Sequence, residues 1–245
     1  MKTWKRVAFG LGFTLLLVLC WHVAVALNPT SLIPGPWAVV LGIWELLEKG
    51  LLLKYVVASL FRVTWGYSLA IILGIPFGLF LGSYRRAELV CNPFLQVLRP
   101  ISPLAWIPIA ILWWGVGDGS AIFLIFLASF FPITITAMNA VRNVQVVHIQ
   151  AGRNFGLSER ELLQQIIYPS VVPQLLTGMR ITLGIAWLVV VAAEMIAVNS
   201  GLGFLIVDAR NAGNRYDLVI AGMAMIGFIG LILDSLVQSL ERKVS

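Results

Sequence analysis

Six runs of about twenty mostly apolar residues constrain this chain more than any other feature. A helix of roughly that length crosses about 30 Å of hydrocarbon with its backbone polar groups bonded internally. The runs cover residues 7–27, 58–82, 94–114, 121–138, 175–198 and 218–240. They predict an all-α, polytopic membrane protein with about six spans, a single domain over 1–245 with no soluble domain left over. Composition agrees, with 60% hydrophobic and 11% charged residues and a mean hydropathy of +0.94, far from the balance of soluble domains. The net charge of +6 is scattered between apolar runs instead of clustered, which suits a membrane surface and argues against nucleic-acid binding. Cys20 and Cys91 have neither metal-site nor disulfide-framework spacing.

The runs differ in ways that matter. The first follows Lys2, Lys5 and Arg6 like a signal peptide, but "AVALNP" is only a weak cleavage site, so it is read as a retained anchor. Between runs one and two, prolines precede Trp37, Val40, Leu41, Trp44 and Leu47 on one helical face, the pattern of an interfacial helix. Gly66, Gly74, Gly78 and Gly82 bring small residues to a common face of the second run and predict close helix contact. Pro100, Pro103 and Pro108 should kink or break the third, which must then lie where protein or water satisfies the freed carbonyls. The segment "NSGLGFLIVDARNAGNRYD" reads as a connection between the last two spans.

A polar island, "QAGRNFGLSERELLQQIIYP" over 150–169, interrupts this hydrocarbon. A short helix leads in and stops at Gly156; Ser158, three residues before Glu161, then forms a capping-box pattern. Leu162, Leu163, Ile166 and Ile167 should share one side of a second short helix that Pro169 ends. The bias of basic residues assigns the sides. With the N-terminus inside, Lys2, Lys5, Arg6, Arg85, Arg86, Arg142, Arg153, Arg160, Arg242 and Lys243 are cytoplasmic, against Lys49, Lys54, Arg210 and Arg215 outside. Both termini and the island over 142–169 then lie in the cytoplasm.

The island resembles the EAA loop, E-A-A-x3-G-x9-I-x-L-P, of ABC importer permeases, and the spacing matches throughout. Gln150, Ala151 and Gly152 stand for the opening triplet, followed by Gly156, Ile166 and Pro169. Gln150 in place of Glu removes a salt bridge that position could make. "LRPISPLAWIPIAILWWGVG" and "GMRITLGIAWLVVVAAEMIAVNSGLGFLI" are similar to the nitrate, bicarbonate, aliphatic sulfonate and taurine permeases. The resemblance implies a type I (MetI-like) permease fold in the cell inner membrane. It also implies two ATPase subunits docked on the island, a second permease chain in a homodimer, and an extracytoplasmic substrate-binding protein. ATP and Mg would belong to the ATPases, since the chain has no phosphate-cradling loop.

Three charged residues in the spans have both functional and structural readings. Arg99 and Arg180 could line a path for a small anion, or could snorkel and satisfy freed carbonyls. Glu194 could gate the outer end or support the turn over 199–203, with Arg62 at a matching depth as its partner. His22 and His148 lack any nucleophile or ligand pattern, and no enzyme reading finds support. An ion-gradient-driven secondary transporter would call for inverted repeats and mid-depth acids, neither of which is apparent.

Overall fold

The computed structural model describes residues 2–28 and 32–244. Pro29, and the side chains of Lys2, Lys5, Arg6 and Lys243, lie outside the described residues. The elements are α1 (Lys2–Leu27), α2 (Pro36–Glu48), α3 (Leu51–Ser83), α4 (Arg85–Leu98), a 3-10 turn (Pro103–Trp106), α5 (Ile107–Trp114) and α6 (Asp118–Arg142). After these come α7 (Val146–Asn154), α8 (Glu159–Leu162), a π-helical turn (Leu163–Ile167), α9 (Tyr168–Ala197), α10 (Leu202–Asn211) and α11 (Tyr216–Val244).

Among the described residues, four helices are long and apolar enough to cross a membrane: α3, α6, the continuous stretch Glu159–Ala197, and Tyr216–Arg242 of α11. The third apolar run is not one kinked span but two helical pieces, Arg85–Leu98 and Pro103–Trp114, bent by 85° and able to make a fifth span only together. The prolines explain the break. Pro103 opens the 3-10 turn and Pro108 sits in the first turn of α5, where a missing N–H costs nothing. In α1, residues such as Phe13, Leu15 and Leu19 face outward.

The centre is built from α3, α6 and α9. On α3 the expected glycine face presses directly on α6: a Cβ at Gly66 would lie 2.8 Å from the Ile122 carbonyl, and one at Gly78 would run into that of Thr134. Such approach lets backbones pack where lipid offers no hydrophobic drive. Leu124, Ile125, Ala186, Val190 and Ala193 fill the space between the helices and are fully buried. Around this core, α2 turns Val39, Gly42 and Leu46 inward and leaves Trp37, Leu41 and Trp44 exposed, as an interfacial helix should. The connection after α9 is not irregular throughout: α10 buries Leu202, Leu205 and Ala209.

Charges inside the bundle are paired. At the end far from the polar island, Arg62 is 1% exposed and its Nη1 donates to Glu194 Oε1 at 2.7 Å. Its Nε reaches Asp118 at 2.7 Å, and Nη1 also donates to the Ser200 carbonyl at 2.7 Å. Glu194, fully buried, accepts at Oε2 from the Ser59 hydroxyl and the Gly203 amide, both at 2.9 Å. The cluster ties α3, α6, α9 and the turn before α10 together. Gly201, at φ +106°, is required there because any side chain would strike the Glu194 carboxylate. Outside the spans, Arg215 bridges Glu45 of α2 and Asp217 at the start of α11, at 2.6 and 2.7 Å. With Lys49, it holds the Glu45 carboxyl down from 4.5 to about 2.

Two consequences can be measured. Removing one partner of a buried ion pair costs about 3–5 kcal/mol because the other charge is left uncompensated. Arg62→Met and Glu194→Ala should therefore each lower the melting temperature of the detergent-purified protein steeply, and the double variant should lose less than the sum. Additive losses would show that the two do not act as a pair. For Glu45 the folded pKa lies below the ordinary value, so its stabilising contribution is complete above pH 4.5 and fades as the pH falls towards about 2. Glu45→Gln should lower the melting temperature at neutral pH and make little difference near that lower limit.

Candidate coupling elbow and path residues

The island folds into an elbow whose parts follow from local sequence. Helix α7 ends in a Schellman turn: the Leu157 amide donates to the Gly152 carbonyl at 3.1 Å and the Gly156 amide to Arg153 at 3.0 Å. Gly156 takes φ +80°, with open space where a Cβ would stand, so it is the backbone angle alone that asks for glycine. Gly152 answers a different demand. Buried one turn earlier, it lies against the side chains of Ile166 and Leu162, which a Cβ there would displace. The third residue of the motif is thus glycine because the second arm of the elbow crosses the first at that point.

The second arm starts with the expected capping box: the Ser158 amide donates to Glu161 Oε2 at 2.8 Å while the Glu161 amide reaches the Ser158 hydroxyl at 3.4 Å. It does not stop at Pro169. The helix widens into the π-helical turn at 163–167 and runs on into α9, with Pro169 in the first turn of α9. A proline has no N–H to give and its ring crowds the preceding turn; the widened turn makes room for both. The Ser170 hydroxyl bonds the Ile166 carbonyl at 2.6 Å. The fifth span is therefore longer at its start than the run beginning at 175 suggests, and elbow and span form one continuous helical arm of 39 residues, Glu159–Ala197.

Of the six motif residues, Gly152 and Ile166 meet in the fold, while Gln150, Ala151, Gly156 and Pro169 are exposed. The tip is apolar. Phe155 is 87% exposed, and Val146 and Val147 are also uncovered. Exposed apolar groups on a locked turn are the features of a docking handle.

The charged candidates are not brought to one place. Arg99 caps α4 at the 85° break and lines a pocket of about 180 Å³ with Pro103, Trp106, Phe131 and Ile185. It makes no ion pair among the described residues. Arg180 is occupied elsewhere: its Nε and Nη2 grip both oxygens of Asp234 on α11 at 2.7 and 2.8 Å, and Glu241 lies 3.5 Å away. The guanidinium therefore ties α9 to α11. Glu194 lies in the Arg62 cluster and accepts from the turn amide of Gly203. Ser59, Asp118 and Ser200 escape a sequence reading because nothing local marks them. Asp234 does carry a signal, as an acid inside an otherwise apolar run.

Comparison with known proteins fits this geometry. The family described as binding-protein-dependent transport system inner membrane component matches residues 74–245. A putative ABC transporter permease of Methanocaldococcus jannaschii is 38% identical over 98% of this chain and 91% of its own. The taurine transport system permease of Escherichia coli is 33% identical over 98% and 90%. Further relatives at 33–38% identity are named for aliphatic sulfonates, nitrate and bicarbonate. Among solved structures, the inward-facing MetNI methionine ABC transporter aligns with a TM-score of 0.66 at 16% identity, over 85% of this chain and 97% of that one, which shows the fold. With an all-helical bundle of this form and a family match over most of its length, the chain belongs to the binding-protein-dependent inner membrane components, the permease subunits of ABC importers.

Proposed function

We propose that this permease forms, with a second copy of itself, the path for a small oxyanion or organosulfonate of the nitrate, bicarbonate, sulfonate or taurine type. A separate extracytoplasmic binding protein delivers the substrate, and two ATPase subunits that hold ATP and Mg supply the energy. The elbow faces the cytoplasm, as do both termini, in keeping with the ten basic residues assigned to that side. The observation that carries the reading is the elbow itself: an exposed Phe155 on a turn locked by a Schellman motif and a capping box, joined without interruption to α9. A straight helix of 39 residues would be about 58 Å long, so a push on the elbow reaches the far side of the membrane. The relatives' names support the substrate class, and Arg99, without an ion pair among the described residues and beside a pocket at a broken helix, supports a path that favours anions.

Two experiments test it. Gly156→Val places a β-branched residue at φ +80°, at a cost of about 1–2 kcal/mol from the left-handed angle alone. ATPase co-purification and stimulated hydrolysis should both fall, and unchanged values for both would remove the docking role. For the path, Arg99→Gln should slow transport in reconstituted vesicles roughly tenfold per assembled complex, for an electrostatic contribution on the order of 1–2 kcal/mol. Arg99→Lys should keep most of the rate. A wild-type rate per complex for Arg99→Gln would leave Arg99 as a structural brace at the break.

A further inference from the structure

At the elbow end of the bundle, away from the Arg99 pocket, two cavities adjoin. One is an apolar groove of about 320 Å³ walled by Leu79, Val141, Leu163, Ile167, Tyr168 and Val171. The other, of about 530 Å³, is polar and lined in part by Arg85, Glu88 and Arg142. Ser83 lines both, and the groove's Val141 is followed directly by the pocket's Arg142. The charges in the pocket do not balance. Arg142 is paired with Glu88, while Arg85 has no acidic partner among the described residues, leaving the pocket positive. Tyr168, exposed, lines the groove, as tyrosines do where hydrocarbon gives way to head groups.

We propose that the two cavities form one binding site for an anionic phospholipid, with the phosphate beside Arg85 and an acyl chain along the groove. The chemistry of the walls selects this occupant. A seated peptide would bring a row of backbone polar groups into a groove whose lining side chains offer just Ser83, Gln164 and the Tyr168 hydroxyl to bond them, and an acyl chain has no such groups. A free phosphate would use Arg85 and leave the groove empty. The positive pocket separates anionic from zwitterionic lipid, because a zwitterionic head group brings its own cation. The site follows from the membrane fold and the charge pattern, and it is independent of the substrate.

The test uses the purified transporter, delipidated in neutral detergent and offered equal phosphatidylglycerol and phosphatidylcholine with the same acyl chains. Bound lipid is counted by native mass spectrometry. Phosphatidylglycerol should be held in roughly fivefold preference, as expected for one nearby arginine. The variant Arg85→Gln should bind the two lipids about equally. Leu163→Glu, at an exposed wall position, should reduce binding of phosphatidylglycerol. If Arg85→Gln does not assemble, added salt carries the same comparison in the unaltered protein, with the preference fading as the charge is screened. A preference that survives removal or screening of the Arg85 charge would overturn the proposal. Equal competition by glycerol 1-phosphate, which has the head-group anion without the chain, would overturn it in favour of a simple anion site. Displacement of the lipid by the ATPase subunits would overturn it by assigning the groove to a protein partner.

Discussion

Inside hydrocarbon neither a backbone polar group nor a charge can be left without a partner, and the organisation of this permease depends on that requirement. It makes the described chain helical almost throughout, and at the broken third run it sets Pro103 and Pro108 where a helical piece begins and no donor is missed. It also gives Arg62 its four acceptors. A guanidinium that is 1% exposed is tolerable only because Asp118, Glu194 and Ser200 converge on it. Those partners come from α6, α9 and the turn that follows α9, so satisfying one charge fixes the relative positions of the elements that close the far end of the bundle. Arg180 does the same on a smaller scale, joining α9 to α11 through Asp234.

Both clusters involve α9, and so does the elbow. The helix therefore has a rigid crossing against α7 at one end, where Gly152 lets Ile166 and Leu162 sit close, and an ion cluster at the other. Between them it lies against α6, so tightly at Gly178 that a side chain there would strike Thr136. With the function proposed above, a helix held in this way would carry ATP-driven motion of partner subunits to the opposite side of the membrane.

Much of this was legible in the sequence, for reasons that differ by element. The glycine face of α3 and the capping box at Ser158 are read from short spacings, and the structure keeps both. The pairing of Arg62 with Glu194 spans 132 residues, but it could be anticipated because two opposite charges at one depth in hydrocarbon must meet. Three features were hidden. Helix α10 is ten residues in a polar, glycine-rich setting, and only packing of Leu202 and Leu205 makes it a helix. The passage of the chain through Pro169 depends on a widened turn that periodicity cannot show. The 85° bend near Pro100 is a tertiary angle; the prolines announce a break but not its direction.

The central claim is that the elbow tip meets the ATPase, and contact is the most direct evidence for it. A photo-crosslinking amino acid at Phe155, in membranes that contain the whole transporter, should give an adduct with the ATPase subunit. The same group at Trp44, exposed on α2 at the other end of the bundle, should give none. Failure to crosslink from Phe155 in an assembled and active complex, or equal adducts from both positions, would contradict the account.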